Sequence, residues 1–244
     1  MKTEFRQNVK ILSSMIDQNA GVGIVNAVTL LQDNMCEYFK QLKSDGIYMI
    51  DKCHAFFVLT KTHLRFNSKL GWCDEVELRT DLINKSNVRL TLSNSVYKDG
   101  VSVIDGIQEL CAMDSDNRSL RRVETTLFPS DAEVVLETSN LTFEKINVEF
   151  SDDDLIRSIV VEFDNLDFYR HVNNVEYVKF ILNSLGLDFY TKNTITELEL
   201  NYISECVLGD VLNVFIKNID DRLYFQIKKG DKVVFKGYMV YCGV

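Results

Sequence analysis

The apolar positions follow two periods that alternate along the chain. From about Val25 to Leu42 they recur at helical spacing. Val28, Leu31, Met35, Tyr38 and Leu42 share one side, and Gln32, Asp33, Glu37 and Lys40 the other. That predicts an amphipathic helix ending near Gly46. Ahead of it, Thr3 to Lys10 reads as a short strand. Beyond it the period falls to two. His54 to Phe66 alternates near its end, with Thr62, Leu64 and Phe66 opposite Lys61, His63 and Arg65. Asp74 to Ile83, Val88 to Tyr97 and Val101 to Met113 follow as strands. Lys98-Asp99-Gly100 joins the last two, and its Asp-Gly is a hairpin signal.

The second half repeats this order. A strand from Ile159 to Phe163 precedes a strongly apolar helix. Val175, Val178, Leu182 and Leu185 share one face, widened by Tyr177, Phe180 and Ile181. Glu176, Lys179 and Asn183 leave only a narrow polar stripe, so most of this helix should be enclosed, and Gly186 is a plausible stop. Ile195 to Ile203 then alternates, with Leu198, Leu200 and Tyr202 opposite Glu197, Glu199 and Asn201. Asp210 to Ile219, Leu223 to Lys228 and Val233 to Cys242 complete the set, with Gly230 in the last turn. A helix followed by antiparallel strands, twice over, predicts an α+β fold built by tandem duplication.

Local wording supports the repeat. Ile24-Val25-Asn26-Ala27-Val28 lies over His171-Val172-Asn173-Asn174-Val175, and Leu64 to Lys69 lies over Leu200 to Glu205, with Asp74 on Asp210. In this register Asp167 faces Ala20, His171 faces Ile24 and Glu205 faces Lys69. The first copy therefore lacks three groups that the second copy has, and a difference confined to such positions points to function.

Composition narrows the class. The chain has 244 residues, 46% of them apolar and 11% aromatic, enough for a sizeable core. No run approaches the roughly 18 apolar residues of a membrane span. The start, Met1 to Arg6, carries no apolar signal-peptide core, which makes a cytoplasmic protein the expectation. A formal charge of −9 opposes nucleic-acid binding, because a phosphate backbone is met with net positive surface. Cys36, Cys53, Cys73, Cys111, Cys206 and Cys242 are scattered, without the close pairs of a zinc or redox motif. Reduced thiols, no metal and no cofactor are expected.

Asp167 and His171 stand four residues apart, directly ahead of the enclosed helix. A helix start carries unpaired N–H groups and partial positive charge, which can hold an oxyanion or a carbonyl oxygen. Acid, imidazole and amides in one loop suit hydrolysis. The alternative is that Asp167 caps a turn and His171 is a satisfied half-buried side chain; the one-sided repeat favours function. His54 and His63 have no acid or cysteine pattern around them and read as structural.

These residues also carry a resemblance. His171-Val172-Asn173-Asn174 with Tyr177 is similar to the His-Val-Asn-Asn-x-x-Tyr signature of the acyl-acyl-carrier-protein thioesterase family, here in a bacterial form related to the plant fatty acyl-ACP enzymes. Tyr202-x-x-Glu205-Cys206 resembles the family's segment ending in Arg-Glu-Cys. Phe57 to Lys61, Gly71 to Val76, and Met113-Asp114 through Arg121-Arg122 resemble first-half and mid-chain stretches. The resemblance covers nearly the whole chain. It implies two tandem hotdog domains, each a curled antiparallel sheet wrapped around a long central helix. Residues 1–130 would hold the acyl-chain pocket in a catalytically degenerate copy, 131–145 the connector, and 146–244 the catalytic copy.

The implied reaction is hydrolysis of fatty acyl thioesters on a carrier protein, releasing free fatty acid and ending fatty acid synthesis. Asp167, His171 and Glu205 match the family's catalytic positions. Tyr169 stands where the family has a catalytic asparagine. It replaces the amide or only lines the pocket. Val172, Asn173 and Asn174 would supply the oxyanion amides, and Glu205 or Asp167 would activate water or attack directly. Cys206 is a rival nucleophile. On an alternating strand it points away from Glu205, and Glu205 is preferred. Met35, Phe39, Phe56 and Phe57 are acyl-pocket candidates, and Arg118, Arg121 and Arg122 are candidates for docking an acidic carrier. A monomer with an internal pseudo-dimer, or a homodimer, is expected. The rival readings are an acyl-CoA thioesterase, a hotdog dehydratase or hydratase, and a non-catalytic acyl-binding module.

Overall fold

The computed structural model describes residues 3–136 and 140–243. It divides into two compact units, Met1–Thr142 and Phe143–Val244. The expected connector, 131–145, spans that division; its residues 137–139 lie outside the described residues.

The first unit is a five-stranded antiparallel sheet with a long helix against it. Strand β1 (Phe5–Lys10) leads into helix α1 (Ile24–Gln41), a short helix α2 (Gly46–Cys53), and strands β2 (Ala55–Phe66), β3 (Glu75–Lys85), β4 (Arg89–Lys98) and β5 (Val101–Asp114). The strand order is β1-β3-β4-β5-β2. Val28, Leu31, Met35 and Tyr38 are buried along α1, as the helical period predicts, while Leu42 is half-buried and lies just past its end. The β4–β5 turn places Asp99 and Gly100 both at positive φ, 51° and 78°, as a two-residue hairpin with right-handed strand twist requires. Helix α2 was not visible in the periodicity. Asp45 starts it by accepting the Tyr48 N–H at 3.0 Å, and His54 ends it in the left-handed region, so the strand begins at Ala55.

A polar row crosses the apolar interface between α1 and this sheet. Asn34 of α1 donates to Thr80 Oγ1 (2.7 Å) and Asn94 Oδ1 (3.0 Å), and accepts from Gln7 (2.9 Å). Asn94 donates onward to Gln108 (2.8 Å) and to the Leu31 carbonyl (2.6 Å). Buried amides survive here because each finds partners among the others.

The second unit has the same topology. Strand β6 (Leu155–Val160) precedes helices α3 (Asn174–Leu185) and α4 (Leu187–Lys192), then β7 (Asn193–Tyr202), β8 (Val211–Ile219), β9 (Arg222–Lys229) and β10 (Lys232–Gly243). The order is β7-β10-β9-β8-β6, the mirror reading of the first sheet. Strand β6 begins and ends earlier than the predicted Ile159 to Phe163, because Phe163–Asn165 turn as a 3-10 helix that prepares the entry to α3. Gly186, at φ 77°, stops α3 as expected.

The polar face of β7 is not left to water. Glu199 is fully buried, accepting the Glu144 N–H (3.0 Å) and the Asn201 amide (3.3 Å). The extended segment from Glu144 to Phe150 is strapped over that face. Arg222 makes a two-pronged pair with Glu144, Lys236 bonds the Ile146 carbonyl and Lys217 the Glu149 carbonyl.

Candidate active site

The loop from Leu166 to Asn173 folds around one carboxylate. Asp167 Oδ1 accepts the backbone N–H of Tyr169 at 2.8 Å and of His171 at 3.2 Å. The Asp167 N–H bonds the His171 carbonyl (2.8 Å), and Arg170, at φ 65°, donates its N–H to the Asp167 carbonyl (3.0 Å). Leu166 and Val172 close the loop as an isolated antiparallel bridge. Asn173 then caps α3 by accepting the Val175 N–H at 3.1 Å.

A second segment meets this loop just beyond β7. The Val172 N–H donates to the Cys206 carbonyl at 2.8 Å, fastening the two main chains together. That junction brings His171 Nε2 to 3.6 Å from Glu205 Oε2. The His171 and Glu205 side chains are 20% and 41% exposed, so water and a substrate carbonyl can reach both. Cys206 turns the other way. It is fully buried, and burial pushes its thiol pKa up, which keeps it protonated and a poor nucleophile.

Of the three amides expected at an oxyanion, two are already committed. Val172 donates to Cys206, and Asn173 donates to the Asn165 carbonyl at 2.9 Å. Asn174, the first residue of α3, keeps an N–H with no acceptor among the described residues. The expected set therefore narrows to Asn174. Tyr169 sits in the loop, half-buried, with its ring 4.0 Å from that of Phe168.

The first unit contains the same loop, in a register that corrects the sequence alignment. Asp17 occupies the place of Asp167: its N–H bonds the Gly21 carbonyl (2.8 Å), and its Oδ1 accepts the Asn19 N–H (2.9 Å). Ala20 repeats the positive φ of Arg170, the Ile16–Val22 bridge repeats Leu166–Val172, and Val22 N–H donates to the Leu70 carbonyl as Val172 does to Cys206. Asp167 thus matches Asp17 rather than Ala20, and His171 matches Gly21 rather than Ile24. The pairing of Glu205 with Lys69 stands. Ile24-Val25-Asn26 misled because it mimics His171-Val172-Asn173; the informative match was Asp17-x-x-x-Gly21-Val22 over Asp167-x-x-x-His171-Val172.

The corrected register changes which residues differ between copies. The acid is common to both and holds the loop in both. What distinguishes the second unit is His171 in place of Gly21 and Glu205 in place of Lys69. Lys69 lies over Gly21, where a Cβ would fall 2.4 Å from its Cε, and its ammonium bonds the Asn19 carbonyl. Asparagine is present in the first copy as Asn19, at the position that Tyr169 takes in the second.

The remaining candidates have local partners. Met35, Phe39 and Phe57 lie between α1 and its sheet, where Phe39 stacks on Phe57 at 5.1 Å and both meet Phe128. Phe56, one residue earlier along β2, faces the opposite side under the Arg118 guanidinium, 5.0 Å away. Arg121 bonds the carbonyls of Cys53 and His54 at the end of α2 (2.5 and 3.1 Å), and Arg122 pairs with Glu124 (3.2 Å). None of these three arginines stands as an unengaged cation. His63, buried, bonds the Thr142 carbonyl at 2.7 Å. Among the described residues no group of three or more His, Cys, Asp or Glu side chains is arranged to hold a metal ion, and no helix is long and apolar enough to cross a membrane.

Comparison with known proteins gives two adjoining family matches. Residues 2–129 match the acyl-ACP thioesterase N-terminal domain, and residues 144–236 the acyl-ACP thioesterase C-terminal domain. An acyl-[acyl-carrier-protein] hydrolase of Cuphea viscosissima is 24% identical over 221 residues, covering 85% of this chain and 52% of the relative. An oleoyl-acyl carrier protein thioesterase of Arabidopsis thaliana is 23% identical over 226 residues, covering 86% and 61%. The chain therefore spans between about half and three fifths of these chloroplastic relatives. Two solved structures share its fold over nearly their whole length. The acyl-ACP thioesterase of Bacteroides thetaiotaomicron has a TM-score of 0.86 at 14% identity, with 98% of each chain covered. The 12:0-ACP thioesterase of Umbellularia californica also scores 0.86, at 16% identity, covering 99% of this chain and 98% of that one.

Proposed function

The chain belongs to the acyl-ACP thioesterase family, and from that premise we propose that it hydrolyses fatty acyl thioesters presented on a carrier protein. Its α+β fold, two hotdog units in one chain, is shared with the family. The observation that carries the reading is the water-accessible His171–Glu205 pair in a loop whose first-unit counterpart holds Gly21 and Lys69. A purely structural loop needs neither, since the first unit closes the same turns without them.

The chemistry follows from the atoms present. Glu205 accepts a proton from water as the water oxygen bonds to the thioester carbonyl carbon. The negative charge that develops on the carbonyl oxygen lies at the start of α3, where the Asn174 N–H is available. Collapse of the tetrahedral anion breaks the C–S bond. The departing sulfur takes the proton back through His171 Nε2, and both side chains return to their starting state. Asp167 holds the loop that aims His171.

The products are a free fatty acid and the carrier's thiol, and the step withdraws acyl chains from further elongation. That the thioester is on a carrier protein rather than coenzyme A is supported by the names of the relatives, all hydrolases or thioesterases of acyl carrier protein substrates. The test is thiol release from matched acyl-carrier and acyl-CoA substrates across chain lengths. Faster turnover on the carrier substrates is expected. His171→Ala and Glu205→Ala should each lose about a hundredfold or more, while Lys69→Ala should turn over like the parent. Loss of water without thiol release would replace hydrolysis by dehydration, and binding without turnover would leave an acyl-binding module.

A further inference from the structure

The strap over the second sheet does not close on it fully. Ile146, Val148 and Phe150 are buried or half-buried, while Asn147 and Glu149 between them are exposed, so the apolar side chains face the strands. Beneath them lies a cavity of about 430 Å³, walled on the sheet side by Ile203 and Val233 and floored by Gln226 and Lys236. That volume falls at the small end of the range for ligand sites. Ile203 is exposed, so the space meets water at that end.

The floor carries the chemistry. Gln226 of β9 and Lys236 of β10 are directly opposite in the ladder, which sets their side chains beside each other on one face. Gln226 is only 7% exposed, and among the described residues its side-chain amide has no hydrogen-bond partner. Lys236 gives one N–H to the Ile146 carbonyl at 2.9 Å, leaving two without a partner among the described residues. An unpaired buried amide is costly, and a leucine would line an apolar space without that cost.

The repeat supplies an internal control. The Asn67 N–H bonds the Val103 carbonyl as the Ile203 N–H bonds that of Val234, which fixes the match between the two sheets. In this register Ile203, Val233, Gln226 and Lys236 correspond to Asn67, Ser102, Ser95 and Asp105. Asp105 accepts from Asn67 at 2.8 Å and from Ser102 at 2.5 Å, and Ser95 Oγ accepts the Gly106 N–H at 3.4 Å. The first unit thus satisfies this polar set internally. The second replaces it by two apolar walls, an ammonium and an amide that the protein does not pair.

We propose that the cavity under the strap is a binding site for an aliphatic monocarboxylate. The carboxylate oxygens accept from the Lys236 ammonium and the Gln226 amide, and the alkyl chain lies against the apolar walls. The single positive charge answers the single negative one. An inorganic anion would lose its water against those walls without compensation. Free fatty acid, the product of the proposed hydrolysis, belongs to this class, but binding here needs neither His171 nor Glu205.

The test titrates the full chain with sodium octanoate, and with octan-1-ol for comparison, by calorimetry and by melting. Octanoate should raise the melting temperature saturably and bind about tenfold tighter than the uncharged alcohol. In Lys236→Met the two probes should bind alike. Gln226→Leu should weaken octanoate about tenfold, yet without ligand melt at or above the parent's temperature, which a structural glutamine would not do. Octanoate carrying a diazirine at its alkyl end should label residues 146–150 on irradiation, and Val148→Trp, which fills the cavity, should abolish that labelling. Parent-like octanoate affinity in both Lys236→Met and Gln226→Leu, or labelling confined to residues outside the cavity, would overturn the site. Absence of thiol release from acyl thioesters would overturn the hydrolase reading and leave this binding test as it stands.

Discussion

Asp167 and Asp17 perform one task in two settings. Each folds a tight loop by accepting backbone N–H at its carboxylate, from Tyr169 and His171 at Asp167 and from Asn19 at Asp17, and a residue at positive φ, Arg170 or Ala20, follows three positions on. Asp167→Ala and Asp17→Ala should therefore destabilise the protein comparably, by about 1 kcal/mol each in thermal or denaturant unfolding, as loss of a cap does. Only Asp167→Ala should also slow turnover, because its carboxylate anchors the His171 N–H. A free Asp17→Ala, with no effect on melting, would break the equivalence. His171 and Glu205 were legible because chemistry-bearing residues interrupt an otherwise repeated pattern. Asp167 was legible as part of the site, but its job as loop anchor was not, since the alignment of the copies was displaced by three residues. Tyr177 was visible only as one more residue of an apolar helix face. Nothing in a linear sequence says that its hydroxyl is enclosed without a hydrogen-bond partner.

Long elements with a clear period were readable, and short ones were not. Helix α1 and the eight longer strands appear within a few residues of their predicted places, whereas α2 and α4, at 8 and 6 residues, are too brief to display a helical period. Asp45, capping α2, was the available signal. The buried amide row is a different case. Thr80, Asn94 and Gln108 look like the polar residues of half-exposed strands, yet all three are buried. The corresponding positions of the second sheet, Ile216, Phe225 and Met239, are apolar. The first helix–sheet interface is thus held together by mutual hydrogen bonds as well as by packing. Asn94→Leu should cost about 2–4 kcal/mol in unfolding experiments, because Asn34, Thr80 and Gln108 all lose a partner in an enclosed place. Phe225→Leu, which only trims volume at the matching position, should cost about 1–2 kcal/mol. Equal effects at the two positions would mean that the row contributes no more than ordinary packing.

At the scale of the whole chain, two copies of one architecture have diverged in length as well as in side chains. Helix α1 has 18 residues and α3 has 12, while the loop that enters each helix is the same turn for turn. Both the repeat and the family resemblance were therefore open to a reader of the sequence, while the register inside the repeat needed coordinates. Lys69 lying across Gly21 has a historical consequence. If the copies began alike, the exchanges of histidine and glutamate in the first would have been coupled through this shared space. The lysine stem lies in the space that a side chain at residue 21 would take, so a histidine there would displace the flexible end of that stem. Loss of the imidazole would have opened the space that the lysine then filled. Gly21→His alone should push Lys69 off the Asn19 carbonyl and destabilise the loop. Paired with Lys69→Glu it should be tolerated, with a favourable coupling of about 1 kcal/mol in a double-mutant cycle. The order of the substitutions, and not only their identity, would then have confined chemistry to one copy and kept it there.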